Sequence, residues 1–181
     1  MEMFEGRPAC NEGRLNREIR TYDWLDSLGI RYQRTDHERA DNMEACNIID
    51  AVLGVTICKN LFLCNRQKTV FYLLMMPGNK KFMTKELSAQ INSARLSFAE
   101  STDMVRLLDI EPGAVSIMGL MNDTGHEVQL LIDEDILKDE YIGCHPCVCT
   151  SSLRILTRDI LDVFLPSTGH SFRTVRLKGE G

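Results

Sequence analysis

Cys58-Lys59-Asn60-Leu61-Phe62-Leu63 is the stretch from which the fold is read. Leu61 and Leu63 alternate with Phe62 and Cys64, the two-residue period of a strand with one face buried. Lys59 and Asn60 stand at the mouth of that strand, where a cation held in a fixed place can grip a phosphate or a carboxylate. A lone strand-end lysine is usually only solvated. Two further segments set polar groups against apolar, strand-like sequence in the same way, Gly113-Ala114-Val115-Ser116-Ile117 and Cys144-His145-Pro146.

Working outward, Leu15, Ile19, Tyr22, Leu25 and Leu28 fall at helical spacing before a stop at Gly29, with Trp24 on the flank. Ile30–Tyr32 reads as a short strand. Asp41 or Asn42 caps a second helix that turns Met43, Ile48, Ile49, Val52 and Leu53 inward and ends at Gly54. Residues 70–76 are apolar without a break and bounded by Pro77-Gly78-Asn79, which fits a strand buried on both faces. Thr84 caps a third helix with Leu87 and Ile91 inward; Ser101 or Thr102 caps a fourth with Val105 and Leu108. A turn at Asn122-Asp123-Thr124-Gly125 leads into a strand over 127–132, and another covers 153–156. Thr157 then caps a helix carrying Ile160, Leu161, Phe164 and Leu165 that Pro166 terminates, and 172–177 reads as an edge strand. The order of elements gives α+β or α/β and no finer class.

With 181 residues, 44% of them hydrophobic, the chain suits one well-cored domain spanning 1–181, without linker, repeat or low-complexity block. It has no apolar run long enough for a membrane helix and no apolar core to its first twenty residues, so no membrane partner and no signal peptide are expected. Seven cysteines, an odd number, then read as reduced thiols in a cytoplasmic protein. A net charge of −5 argues against a general nucleic-acid binder, DNA included, but allows a protein that touches the end of one RNA through a local patch such as Lys80, Lys81, Lys85 and Arg95.

Cys144-His145-Pro146-Cys147-Val148-Cys149 suggests half of a zinc site, yet no second Cys-x-x-Cys or His-x-x-x-His completes it, so no metal or other cofactor is expected. Buried thiols are the plain alternative. No Ser-His-Asp set or paired catalytic carboxylates stand out. Asp123 is the best acidic candidate, although Asn-Asp-x-Gly is also a sound turn.

Six segments in register resemble the family of prolyl-tRNA-synthetase-associated editing domains, the YbaK-like fold, and within it the free-standing PrdX or ProXp-ala-like branch. They are 59–63, Arg95-Leu96-Ser97-Phe98-Ala99, Pro112–Ser116, Gly119-Leu120-Met121-Asn122-Asp123, His145-Pro146 and Gly169-His170, within a likeness running from about Leu15 to Leu177. The resemblance implies an α+β fold with a mixed, mainly antiparallel curved sheet flanked by helices. It implies an aminoacyl-tRNA deacylase acting in trans on alanine mischarged onto proline tRNA, without a metal. The partners implied are the acceptor end of aminoacylated tRNA and prolyl-tRNA synthetase.

Carried onto this sequence, Lys59 grips the terminal phosphate or ribose and Asn60 helps hold the strand end. The Gly113–Ile117 loop, with Gly113 and Ser116, cradles the ester, His145 and Asp123 line the pocket, and Arg95 contacts the RNA. Two positions depart from the family pattern: Ile117 replaces the proline that closes the loop, and Cys149 replaces an asparagine after the His-Pro segment. Both departures favour an alternative, a binding module of the same fold that has lost hydrolysis. A redox or metal sensor using Cys144, Cys147 and Cys149 is a third reading.

Overall fold

Strand β3 (Lys59–Cys64) is the element from which the architecture grows. In a computed structural model that describes residues 1–180, β3 pairs antiparallel with β4 (Phe71–Met76) and with the short β5 (Ser97–Phe98). On the far side of β4, β6 (Val128–Asp133) and β9 (Phe172–Val175) run parallel, giving a five-stranded sheet in the order β5-β3-β4-β6-β9. A second sheet, ordered β1-β2-β8-β7, is antiparallel throughout and contains β1 (Phe4–Glu5), β2 (Tyr32–Asp36), β7 (Tyr141–Cys144) and β8 (Ser151–Leu156). The expected mixed, mainly antiparallel sheet is thus present as two pieces. A parallel bridge between Ile57 and Gly143, with the Cys58 N–H donating to the Gly143 carbonyl at 3.3 Å, joins them.

The unbroken apolar sequence of β4 follows from its place at the centre of the five-stranded sheet. Leu73 and Met75 enter the larger core, which also takes Phe62, Leu130 and Ile132 and, from the second sheet, Tyr32, Ile142, Leu153 and Ile155. Leu74 and Met76 point to the opposite face, into a smaller core closed by Leu87 of α3 (Thr84–Gln90), Ile91 at its C-terminal cap, and Leu96, Val175 and Leu177. A strand with an apolar layer on each side cannot alternate with polar residues. β9 lies at the sheet edge and alternates only weakly, as its sequence suggested.

The helices match the expected spans with informative exceptions. In α1 (Asn16–Ser27), Tyr22 and Leu25 are buried, but Leu15 precedes the helix and stays exposed. Glu18 is buried in its place, accepting from the Arg14 guanidinium and from the Tyr22 hydroxyl, both at 2.7 Å. In α2 (Met43–Leu53) Asn42 is the cap, its Oδ1 accepting from the Ala45 N–H at 2.9 Å, and Gly54 ends the helix in the left-handed region. Only Ile49 and Leu53 of this helix turn fully inward; Met43, 74% exposed, borders a cleft, and Ile48, 49% exposed, faces away from the core. Val105 of α4 (Ser101–Leu108) is likewise exposed, and Leu107 and Leu108 carry the burial. Met83 and Glu100, not Thr84, Ser101 or Thr102, hold the cap positions of α3 and α4, without side-chain cap bonds.

Pro166 does not terminate the last helix. The chain passes from α5 (Thr157–Asp159) through a π-helical stretch, Ile160–Phe164, into α6 (Leu165–Thr168), and stops at Gly169 in the left-handed region. A proline inside an α-helix lacks one donor and clashes with the carbonyl four residues back. The wider π turn ahead of Pro166 relieves that clash by changing the spacing of donors and acceptors.

Gly143 sits at the join between the sheets, where a Cβ would lie 3.1 Å from Ile57 Cα and 3.2 Å from Val55 Cγ1. Gly143→Ala should therefore lower stability by about 1–3 kcal/mol, the usual cost of overpacking. The check is the urea midpoint; an unchanged midpoint would show that the join has slack.

Candidate functional site

The join carries a site with it. Because the Ile57–Gly143 bridge is parallel, the two chains advance in the same direction from it, and two residues further on they present Lys59 and His145. Both line a cleft of about 670 Å³. One wall is α2 with Met43, Cys46, Asn47 and Asp50; the segment after β2 supplies His37 and Arg39, and Gly113 and Cys149 complete the lining.

Lys59 donates from Nζ to the Lys80 carbonyl at 2.7 Å, which tethers the ammonium near the loop that holds Gly78 and Asn79. Two of its three protons remain for another acceptor. Asn60 turns away from the cleft lining: Nδ2 donates to the Cys58 carbonyl at 2.9 Å, and its buried Oδ1 has no partner among the described residues. Gly113 has φ +92, and a Cβ there would meet Arg39 Nη2 at 3.2 Å, so the bare backbone is what lets the guanidinium and the loop approach each other. Ala114 N–H is satisfied by the Glu111 carbonyl at 3.1 Å, whereas the Gly113 N–H has no acceptor among the described residues.

His145 is held by its own sheet. Its Nδ1 lies 2.9 Å from the Ser151 carbonyl oxygen, and a carbonyl only accepts, so Nδ1 carries the proton and Nε2 carries the lone pair. Burial pushes the His145 pKa below the ordinary histidine value, outweighing the carbonyl contact, and the nearby His37 adds to the depression. The ring is neutral at pH 7, a proton acceptor at Nε2. Asp50 is a half-buried carboxylate of the cleft: partial burial raises its pKa, opposed by the hydrogen bond it accepts from the Ile57 N–H at 3.2 Å.

Several expected site residues lie elsewhere. Ser116 is fully buried as the cap of the 3₁₀ turn Ile117–Asn122, its hydroxyl accepting from the Met118 N–H at 3.2 Å. Ile117 is buried in the larger core, so of the 113–117 loop only Gly113 reaches the cleft. Asp123 is buried below β6, where it accepts the backbone N–H groups of Glu127 and Val128 and contacts His170 Nε2 at 2.8 Å. It shapes a turn and does not line the cleft. Arg95 borders a different depression, with Thr84, Lys85 and Ser88 of α3. Cys144 and Cys147 are fully buried, and burial pushes their thiols up, that of Cys147 to about 12. Among the described residues, no three His, Cys, Asp or Glu side chains are grouped to hold a metal ion.

His37, Arg39 and Asp50 are cleft residues that the sequence reading passed over. They sit in no recognisable pattern: His37 follows four consecutive polar residues, Gln33 to Asp36, which carry no strand alternation.

A family model described as "Aminoacyl-tRNA editing domain" matches residues 37–163, which bracket the cleft from His37 to Cys149. The chain belongs to the aminoacyl-tRNA editing domain family. It is 29% identical over 153 residues to "Prolyl-tRNA editing protein ProX" of Acetoanaerobium sticklandii, covering 84% of this chain and 93% of that protein. To "Prolyl-tRNA synthetase associated domain-containing protein 1" of Xenopus laevis it is 27% identical over 162 residues, covering 87% and 94%. A solved structure described, provisionally, as a trans-editing enzyme for prolyl tRNA synthetase superposes with a TM-score of 0.67 at 16% identity, over 92% of this chain and 99% of that one, which shows a shared fold. In this editing domain no helix among the described residues is long and apolar enough to cross a membrane.

The depressed His145 pKa has a consequence for stability. An unfolded chain binds a proton at this histidine near pH 6.5, while the folded one does not until lower pH. His145 thus contributes stability above that pH, and the contribution is lost as pH falls through about 6.5 toward the folded value. Urea midpoints measured from pH 8 to 5 should fall more steeply for the wild type than for His145→Gln. Parallel curves would mean that His145 titrates alike folded and unfolded.

Proposed function

We propose that this editing domain is a free-standing deacylase that removes alanine from mischarged proline tRNA in the cytoplasm, correcting the errors of prolyl-tRNA synthetase. The observation that carries the reading is the meeting of Lys59, Gly113 and His145, from three distant parts of the chain, around one cleft in a member of this family. An aminoacyl ester is already activated, so the protein needs to orient the reactants and stabilise charge more than to generate a strong nucleophile. In this mechanism water attacks the ester carbonyl and passes a proton to His145 Nε2. The Gly113 N–H donates to the carbonyl oxygen as negative charge develops, and the departing ribose oxygen takes the proton back from the imidazolium.

Lys59 holds the terminal phosphate or ribose at the mouth, and Asn60 stiffens the strand end beneath it. Arg95, beside α3, meets the phosphates of the acceptor stem. Ser116 and Asp123 act from below the surface, as the cap and the turn that set the shape of the 113–123 segment. Discrimination against the cognate amino acid follows from a second sieve: a methylene is worth only about 1–3 kcal/mol in binding, so excluding proline by size is more effective than binding it less well. Cys149, lining the cleft where the family pattern has an amide, favours a second reading, in which the fold binds an aminoacyl-tRNA without hydrolysing it.

The deciding experiment is a deacylation panel with proline tRNA charged with Ala, Ser, Cys and Pro. Rapid release of Ala with Pro spared is expected; binding of Ala-tRNA without release of any amino acid would establish the second reading instead. Within an active protein, Lys59→Ala should lower kcat/KM on the order of tenfold to a hundredfold, the worth of one charge-assisted contact of roughly 1.5–3 kcal/mol. Lys59→Arg should recover only part of it, since a planar fork does not replace a point charge. Wild-type kinetics in Lys59→Ala would remove that residue from the site.

A further inference from the structure

The sheet register places a second histidine in contact with the machinery around His145. Strand β8 lies between β2 and β7, with Ser152 opposite Thr35 on one side and Leu153 opposite Cys144 on the other. His37 is two residues beyond Thr35 and therefore on the same face as Ser152. His145 follows Cys144 and comes opposite Ser152 by continuation of the β7 register. The end of β2 is pinned by the His37 N–H, which donates to the Thr150 carbonyl at 3.0 Å. Ser152 Oγ consequently lies 2.8 Å from His37 Nε2 and 3.3 Å from His145 Nδ1, with the two rings 6.4 Å apart.

We propose that His37 and Ser152 are positioning residues that hold His145 in the form protonated at Nδ1, leaving Nε2 as the proton acceptor. The polarity of the chain of contacts is fixed at its far end. His37 Nδ1 lies 2.8 Å from the Glu38 carbonyl, which only accepts, so the proton of neutral His37 is on Nδ1 and its Nε2 presents a lone pair. The Ser152 hydroxyl therefore donates to His37 Nε2 and turns its own lone pairs toward His145 Nδ1. A serine hydroxyl pointed the other way would donate to His145 Nδ1 and favour the opposite tautomer. Ser152 is fully buried, and among the described residues its hydroxyl meets only these two imidazoles, where an ordinary buried serine would bond to backbone. His37 is thus a direction-setter for a hydroxyl, and Ser152 a second acceptor that supplements the Ser151 carbonyl. The remaining titratable groups lining the cleft are Arg39, Asp41, Asp50, Lys59 and three thiols, and among the described residues none of them hydrogen-bonds to the His145 ring.

The inference rests on the deacylase reading for its kinetic arm alone, and the protonation state of His145 can be read without substrate. Nitrogen-15 imidazole spectra of the whole protein should show a pyridine-type Nε2 for His145 in the wild type and a measurably smaller share of that tautomer in Ser152→Ala and His37→Leu, where the Ser151 carbonyl alone favours it. With Ala-charged proline tRNA, both variants should lose about tenfold in kcat with KM within about twofold, the lower range for a misplaced proton acceptor. Loss of the His37 imidazole should also move the acid limb of the His37→Leu profile to higher pH, because that neighbouring ring lowers the His145 pKa. His37→Gln, whose side-chain oxygen can still accept from Ser152, should recover kcat to within about threefold of wild type while keeping the shifted limb. An unchanged His145 tautomer in both Ser152→Ala and His37→Leu would overturn the inference. If the wild type releases no amino acid while the tautomer responds as expected, the positioning stands and the deacylase reading falls.

Discussion

The parallel bridge between Ile57 and Gly143 is the constraint on which the site depends. It ties the start of β3, in one sheet, to the end of β7, in the other, and it is possible because Gly143 brings no Cβ against Ile57 and Val55. Parallel progress from that point sends Lys59 and His145 out together, so a cation and a neutral imidazole separated by more than eighty residues share a cleft. The larger core, to which both sheets contribute, keeps the join from opening.

Burial then decides what each polar group in the neighbourhood does. His145 is tied to a carbonyl at one nitrogen and largely sunk in the protein, which keeps it neutral, with its other nitrogen free to accept a proton. Asp123 and His170 are buried against each other and against backbone donors, an arrangement that anchors a turn and leaves no valence for substrate. The thiols of Cys144 and Cys147 are pushed toward higher pKa by burial, which suits packing and not metal binding or nucleophilic attack. Chemically similar residues thus divide into cleft-lining and structural ones by where the two sheets put them.

Much of the fold could be read along the chain. The period of two in β3, the unbroken apolar run of β4 and the Asn42–Gly54 bracket of α2 each express a local rule of backbone geometry or solvent exposure. The errors have local causes too. Met43 and Ile48 looked like core because apolar spacing does not say whether a helix face meets protein, lies open, or borders a cleft. Pro166 looked like a stop because a π turn, which admits it, leaves no mark in composition.

Most of the elements (though not β1, β5 or β7), the α+β class and, through six short segments in register, the family likeness are legible along the chain, as are Lys59, Gly113 and His145. These features survive in one dimension because they rest on near neighbours: strand period, caps, a glycine with positive φ, a histidine before proline. Which residues face one another was decided only by tertiary structure. The pairing of β2 with β8 and of β8 with β7 brings His37, Ser152 and His145 together, and the same packing withdraws Ser116, Ile117 and Asp123 from the cleft. Register and sheet order are long-range facts, set by the sum of many burials over the whole core, and no short segment carries them.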